Sequence, residues 1–178
     1  MSAAKKFAPH YTIDDYRHWK GDWELWDGAA IAMSPSPFGK HQRVLGNLFV
    51  TLRQQMESPA CGGNVVLELD WIVRADTIVR PDLIVVCGAI PDRHLERAPA
   101  LVAEILSPST RQNDLTYKRD LYAQQRVGTY IIVDPDAKTV EHLQLSPDGT
   151  YASQAVSDAV KISVCHTCEL EISPTNLF

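Results

Sequence analysis

A chain of 178 residues, 45% hydrophobic and 22% charged, carries enough apolar content for one domain with a sizeable core, and too much for a disordered or fibrous chain. Its net charge of −5 argues against a tight, sequence-independent coat on nucleic acid, because such binding relies on Lys and Arg displacing counterions. No apolar run approaches the roughly 20 residues of a membrane span and the start lacks the apolar core of an export signal, so a cytoplasmic protein is expected, its four cysteines reduced.

In chain order, Thr12 with Asp15 three residues later has the form of a helix start and predicts a short helix over 12–19. Residues 23–26 and 29–33 flank Asp27-Gly28, a strong hairpin signal, and Glu24 lies in the first strand. Ser34-Pro35-Ser36-Pro37 breaks the chain before a long helix over 38–57. Its inward arc holds Phe49, Met56, Leu45, Leu52, His41, Leu48 and Val44. His41 is the polar member of that arc, and a lone histidine on such a face is either a satisfied core residue or a functional one. Residues 64–73 read as the first long core strand, with Glu68 on its second face, solvated or approaching the edge that Asp82 begins.

The stretch 80–118 organises the rest. Arg80-Pro81-Asp82 leads into an apolar strand over 83–87, and a second apolar run over 101–106 is interrupted by Glu104. The connection between them is short for a helical crossover, so the two strands are expected to be antiparallel neighbours. Alternation then puts Asp82 on a face with Ile84 and Val86, and Glu104 on one with Val102 and Leu106, both carboxylates at one edge. Two such carboxylates in apolar company repel each other and lose hydration, which a divalent cation reverses; hard oxygen ligands favour magnesium or manganese. In the following helix, over 113–126, Lys118 falls inside the apolar arc formed by Tyr117, Leu121, Tyr122 and Leu115, where an ammonium needs an anionic partner. A metal-binding carboxylate pair with a lysine suits phosphodiester hydrolysis, the lysine activating water or stabilising the developing charge.

Gly128 closes that helix, and 129–133 forms a further strand, parallel to 101–106 by the right-handed crossover rule. Residues 139–145 and 151–155 add antiparallel strands at the edge, and 169–172 reads as a terminal strand. Cys165-His166-Thr167-Cys168 is one Cys-x-x-Cys. A tetrahedral zinc site wants a second pair, and Cys61 and Cys87 are isolated in sequence, so small thiols beside a strand are expected rather than a zinc or redox module.

Pro81-Asp82 followed by Glu104-Ile105-Leu106 resembles the PD-(D/E)XK nuclease superfamily. A wider set resembles the large bacterial Uma-two family, described as restriction endonucleases. It comprises Glu24-Leu25-Trp26-Asp27-Gly28, Met33-Ser34-Pro35, His41, Arg80-Pro81-Asp82, Glu104 to Thr110, Asp114-Leu115, Lys118, Tyr122 and Tyr130 to Pro135. The resemblance runs over residues 11–145 in one consistent order. It departs from the superfamily at Leu106, where the motif's lysine should stand, and implies that the lysine has moved to Lys118, the residue that the helical arc also singles out.

The resemblance implies a restriction-endonuclease-like core in one mixed α/β domain spanning 1–178, a central mixed sheet flanked by two main helices. The expected sheet order is hairpin, 64–73, 83–87, 101–106, 129–133. It implies a magnesium- or manganese-dependent endonuclease acting on DNA, with Asp82 and Glu104 as metal ligands, the Ile105 backbone carbonyl as a further ligand, and Lys118 as the charged group. By the same resemblance Glu24 is an accessory acid, against the alternative of a solvated strand residue, and His41 contacts phosphate or a metal-bound water. A homodimer cutting two strands is expected from the superfamily. The alternative of a different class is a non-catalytic protein that keeps the fold to bind nucleic acid or a partner.

Overall fold

The computed structural model describes residues 8–33 and 38–178. The proline-rich break at 34–37, including part of the Met33-Ser34-Pro35 motif, lies outside the described residues. The elements that position the site are two sheets and two helical segments. Strands β1 (Trp23–Trp26) and β2 (Ala29–Ala32) form the expected hairpin, with Asp27 and Gly28 both at positive φ as a tight two-residue turn requires. Helix α1 (Ile13–Tyr16) is shorter than the 12–19 expected: the Asp15 carboxylate caps Thr12, but the chain turns away after Tyr16.

The central sheet has six strands in the order β10-β9-β8-β7-β6-β3. They are β3 (Gly63–Leu67), β6 (Leu83–Cys87), β7 (Leu101–Ile105), β8 (Thr129–Asp134), β9 (Thr139–Leu145) and β10 (Tyr151–Ala155). As expected, β6 and β7 are antiparallel and β7 and β8 are parallel. Both β7 and β8 are buried along their whole length, which is why their sequences are apolar without alternation.

Alternation divides the core. Leu83, Val85, Ala103, Ile105, Ile131 and Val133 face helix α2 (Gly39–Gln55), which packs on them through Val44, Leu45, Leu48 and Leu52. Ile84, Val86, Val102 and Ile132 face the other layer with Trp71, Val79, Leu121 and Tyr122. That second layer contains a separate four-stranded sheet, β2-β1-β5-β4, built from the hairpin, β4 (Trp71–Arg74) and β5 (Thr77–Val79). The hairpin therefore does not join the central sheet, contrary to the order expected from the sequence.

The physical cause lies at Glu68. Its backbone takes φ 47, a conformation a strand residue does not hold, so the strand expected over 64–73 breaks into β3 and β4, which belong to different sheets. Asp70, just past the break, is drawn to Arg80 Nε at 2.6 Å and to the Tyr16 hydroxyl at 3.0 Å. Those bonds tie the segment between β3 and β4 to the residue that follows β5 and to α1.

The segment expected as one helix over 113–126 is α3 (Arg111–Asn113), a π-helical turn (Asp114–Lys118) and α4 (Arg119–Gln124) in continuous succession. At the other end of the molecule β11 (Val160–Val164) and β12 (Cys168–Ile172) form a two-stranded sheet whose Ile162, Val164, Leu170 and Ile172 join the core beneath α2. The cysteines correct the expectation of free thiols: Cys61 is bonded to Cys168 and Cys87 to Cys165. Sequence separations of 107 and 78 residues hid the pairing, which only the packing of β11 and β12 against the start of β3 and the end of β6 creates. Among the described residues no helix is long and apolar enough to cross a membrane.

A candidate active site at the edge of the central sheet

Antiparallel pairing of Leu83 with Ala103 brings the residues just before β6 and near the end of β7 to one edge. There the Asp82 amide donates to Glu104 Oε2 at 3.2 Å, and the Asp82 carboxylate accepts the Ile105 amide at 2.7 Å. Alternation aims Glu104 into the layer of Tyr122 and Leu121, as expected, and leaves it only 2% exposed.

Lys118 comes to the same carboxylate from the π turn. Its ammonium donates to Glu104 Oε1 at 3.0 Å and lies 3.2 Å from Glu24 Oε1 and 3.7 Å from Asp114 Oδ1. The Tyr122 hydroxyl donates to the same Glu104 oxygen at 2.7 Å. A π turn adds a residue to the helical repeat, a local feature that recurs at functional sites. Glu24 is buried, not a solvated strand residue: its carboxylate also accepts the Arg80 amide at 2.6 Å and the Trp26 indole N–H at 3.0 Å. The Trp26 ring is in turn stacked on Tyr117 at 4.3 Å between centroids.

His41, in the first turn of α2, faces Asp82 Oδ2 across 3.2 Å. The structure thus brings together Asp82, Glu104, Lys118, Glu24 and His41, and sets the Ile105 backbone beside Asp82. Glu68 stays exposed; its backbone amide donates to the Asp82 carbonyl at 3.1 Å, and its carboxylate is near enough to help raise His41.

Asp114 is the member that the sequence reading did not place among the site residues. It is buried, and its Oδ1 has no hydrogen-bond partner. The signal was present, since a residue four before Lys118 is displaced by only about 40° on an α-helical wheel and so falls on the inward arc.

The electrostatics follow from four carboxylates meeting one ammonium and one imidazole. Burial pushes Glu104 well above the usual carboxylate range, although Lys118 opposes it. Burial likewise raises Asp114, to about 6, against the same opposition. For Lys118 burial works to release the proton, but the combined fields of Glu104, Glu24, Asp114 and Asp82 outweigh it and hold the ammonium firmly charged. Burial also opposes a charge on His41, and its bond to Asp82 outweighs that, raising it above its ordinary value.

The Asp82 side chain, 20% exposed, is the carboxylate most open to solvent. A cleft of about 350 Å³ beside it is lined by His41, Lys40, Phe38, Leu106, Ser107 and Pro108. A smaller recess of about 70 Å³ reaches Glu24, Trp26, Asp114 and Lys118. A further cleft, about 440 Å³, lies along Leu115, Arg119, Asp120 and Tyr151 and touches none of the four site carboxylates. Among the described residues no three or more His, Cys, Asp or Glu side chains stand in a ready metal-binding arrangement.

A sequence model of the Uma2 family, whose description reads "Putative restriction endonuclease", matches residues 13–175. The fold is similar to that of a solved protein from Anabaena variabilis, titled a "putative nuclease belonging to DUF820". The TM-score is 0.76 at 22% identity, covering 94% of this chain and 97% of the other. No curated protein matches.

Proposed function

The chain belongs to the Uma2 family, a nuclease family by its description, and we propose that Asp82, Glu104 and Lys118 form a metal-dependent centre that hydrolyses phosphodiester bonds in DNA. The observation that carries this reading is a buried ammonium held on a strand-edge carboxylate next to Asp82, with Lys118 Nζ to Glu104 Oε1 at 3.0 Å and the Asp82 amide to Glu104 Oε2 at 3.2 Å.

The residues fit a hard divalent cation. Four carboxylates outnumber the positive groups, Asp114 Oδ1 is an orphaned buried acceptor, and all the donors are oxygen. Asp82, Glu104 and the Ile105 carbonyl would hold magnesium or manganese, which when bound supplies charge neutralisation and an acidified water.

The chain's own groups have separate tasks. Lys118, held protonated, does not take a proton at neutral pH; its task is to stabilise negative charge on the phosphorus oxygens as the bond to water forms. Glu24 and Tyr122 fix where Lys118 and Glu104 point. His41 and Lys40 line the open cleft, where Lys40 pairs with Asp136 at 2.7 Å, and a phosphate backbone entering it would compete for that ammonium. A second copy of the chain would place a second centre on the complementary strand.

Nicking of supercoiled plasmid by the wild-type protein in manganese or magnesium, absent in chelator and in Asp82→Ala, supports the reading. A wild type inert toward DNA with either metal contradicts it.

A second reading, a non-catalytic protein that keeps the fold for binding, is favoured by one observation. Lys118 is only 6% exposed and lies within 4 Å of three carboxylates, as in a structural ion cluster. In that case DNA or a partner binds with no turnover, and Lys118→Ala changes stability alone.

A further inference from the structure

Aromatic residues near the start of the chain form a recess apart from the carboxylate centre. Tyr11, Trp19, Lys20, Trp23 and Ala30 line a cleft of about 300 Å³. The β1–β2 hairpin places it. Alternation turns Glu24 and Trp26 toward Asp114 and Lys118, and turns Trp23 to the opposite face, which Ala30 shares through the pairing of Leu25 with Ala30. The cleft and the carboxylate centre therefore lie on opposite faces of one hairpin.

The rings line this cleft without closing it. Trp19 meets Tyr11 at 5.1 Å between centroids and 88°, and meets Trp23 at 5.9 Å and 65°, so none of the three lies flat on another. Tyr16 supports Trp19 at 5.5 Å, and its hydroxyl is fixed on the Trp23 carbonyl and on Asp70, each at 3.0 Å. The Trp23 indole N–H donates to the Lys20 carbonyl at 2.9 Å, which sets Lys20 beside the same rings. Tyr11, Trp19 and Trp23 are each only half-buried, and Ala30, small and exposed, leaves open the space that a larger strand residue would fill.

The charges around the recess are unequal in a useful way. Its neighbouring acids are engaged: Asp14 by Arg17 at 3.0 Å, Asp15 by the Thr12 amide at 2.8 Å and Asp22 by Arg80 at 2.9 Å. Lys20 is exposed and, among the described residues, makes no ion pair.

We infer that this recess stacks an unpaired nucleobase, with Lys20 meeting the adjoining phosphate. The inference rests on the nuclease reading and extends it, because the substrate then carries an unpaired segment beside the bond that is cut. Aromatic walls suit any base, since every base has a π face, and an unpaired ammonium next to them complements the anionic backbone. An apolar peptide segment would leave that ammonium without a counter-charge. The net charge of −5 gives the chain no general attraction for nucleic acid, so local stacking is the means of holding a single strand. Such a strand reaches the recess from the carboxylate centre by passing round β2, the outermost strand of its sheet.

Binding is measured apart from cleavage, in chelator. Full-length protein is titrated with a labelled oligothymidine and with a labelled abasic strand of equal length, followed by anisotropy. Oligothymidine should bind about tenfold more tightly than the abasic strand. That preference should persist in Asp82→Ala and disappear in Trp19→Ala. Should Trp19→Ala fail to fold, Ala30→Leu fills the recess from an exposed position and should abolish the preference equally. Lys20→Gln should weaken both strands alike and reduce the salt dependence. Equal affinity for the two strands, or a preference that survives in folded Ala30→Leu, would overturn the inference. So would a dimer that Ala30→Leu dissociates and oligothymidine leaves intact, since a second copy would then fill the recess. A protein that cuts DNA but shows no preference overturns the inference alone; one that shows it but cuts nothing with metal supports the base site and contradicts the nuclease reading.

Discussion

The Lys118 ammonium donates to Glu104 Oε1 at 3.0 Å, joining a helix and a strand through two groups that are each almost wholly buried. Such a pair is costly to break from one side, because the survivor keeps its charge without its partner. Lys118→Met should therefore lose about 3–5 kcal/mol of stability. Lys118→Met with Glu104→Gln should lose clearly less than the two single changes added together. Urea denaturation of the four proteins in a double-mutant cycle measures the coupling; additivity would mean that the two charges do not depend on each other.

Asp114 is the surplus carboxylate. Its folded-state value of about 6 stands above the ordinary 3.8, so its contribution is full below about pH 4 and is lost as pH rises through 6. In metal-free buffer Asp114→Asn should remove that loss, gaining about 3 kcal/mol relative to wild type as pH rises from about 4 to 7. A difference in stability between the two proteins that does not change with pH would contradict the assignment of buried repulsion to this residue.

His142 gives the opposite slope. It is buried in β9 with Nε2 unpartnered, and burial lowers its proton affinity below the ordinary 6.5. The unfolded chain then binds the proton first, so stability falls as pH drops below 6.5 toward the lowered folded value. His142→Leu should flatten that acid-side fall relative to wild type, measured by chemical denaturation across the same pH series.

Trp26 holds the Glu24 carboxylate from one side while Arg80 holds it from the other. Trp26→Phe keeps an aromatic ring on Tyr117 and removes only the indole donor, which should cost about 1 kcal/mol. If Glu24 serves Lys118, any cleavage activity should fall more in Glu24→Gln than in Trp26→Phe at equal folded fraction.

Where the sequence was informative, a physical rule acted locally. Three charged residues, Asp82, Glu104 and Lys118, interrupt apolar patterns, and a charge that must be buried has few places to go except to another. The short connection between β6 and β7 and the helical crossover from β7 to β8 likewise fix strand direction from chain length alone.

Where it was not informative, the cause was nonlocal. Nothing in residues 64–73 announces that Glu68 turns to positive φ, since the apolar alternation continues across the break and the bonds that reward it come from Arg80 and Tyr16. β5 has only three residues, too few for a pattern, and β11 owes its place to packing under α2. The disulfides join residues that share no motif except Cys165 and Cys168, which do not pair with each other. Asp114 lies about 40° from Lys118 on the helical wheel, but an inward arc is marked by its apolar members, and a carboxylate on it carries no such mark.

The central claim, that the Asp82–Glu104–Lys118 cluster is a phosphodiesterase centre, is tested most directly by rates of manganese-dependent nicking of supercoiled plasmid. The proteins compared are wild type, Asp82→Ala and Lys118→Ala, each shown to be folded under the assay conditions. The account predicts metal-dependent nicking by wild type and losses on the order of 100-fold or more in both variants. Nicking that survives unchanged in folded Asp82→Ala and Lys118→Ala, or a wild type that does not cut, would contradict it.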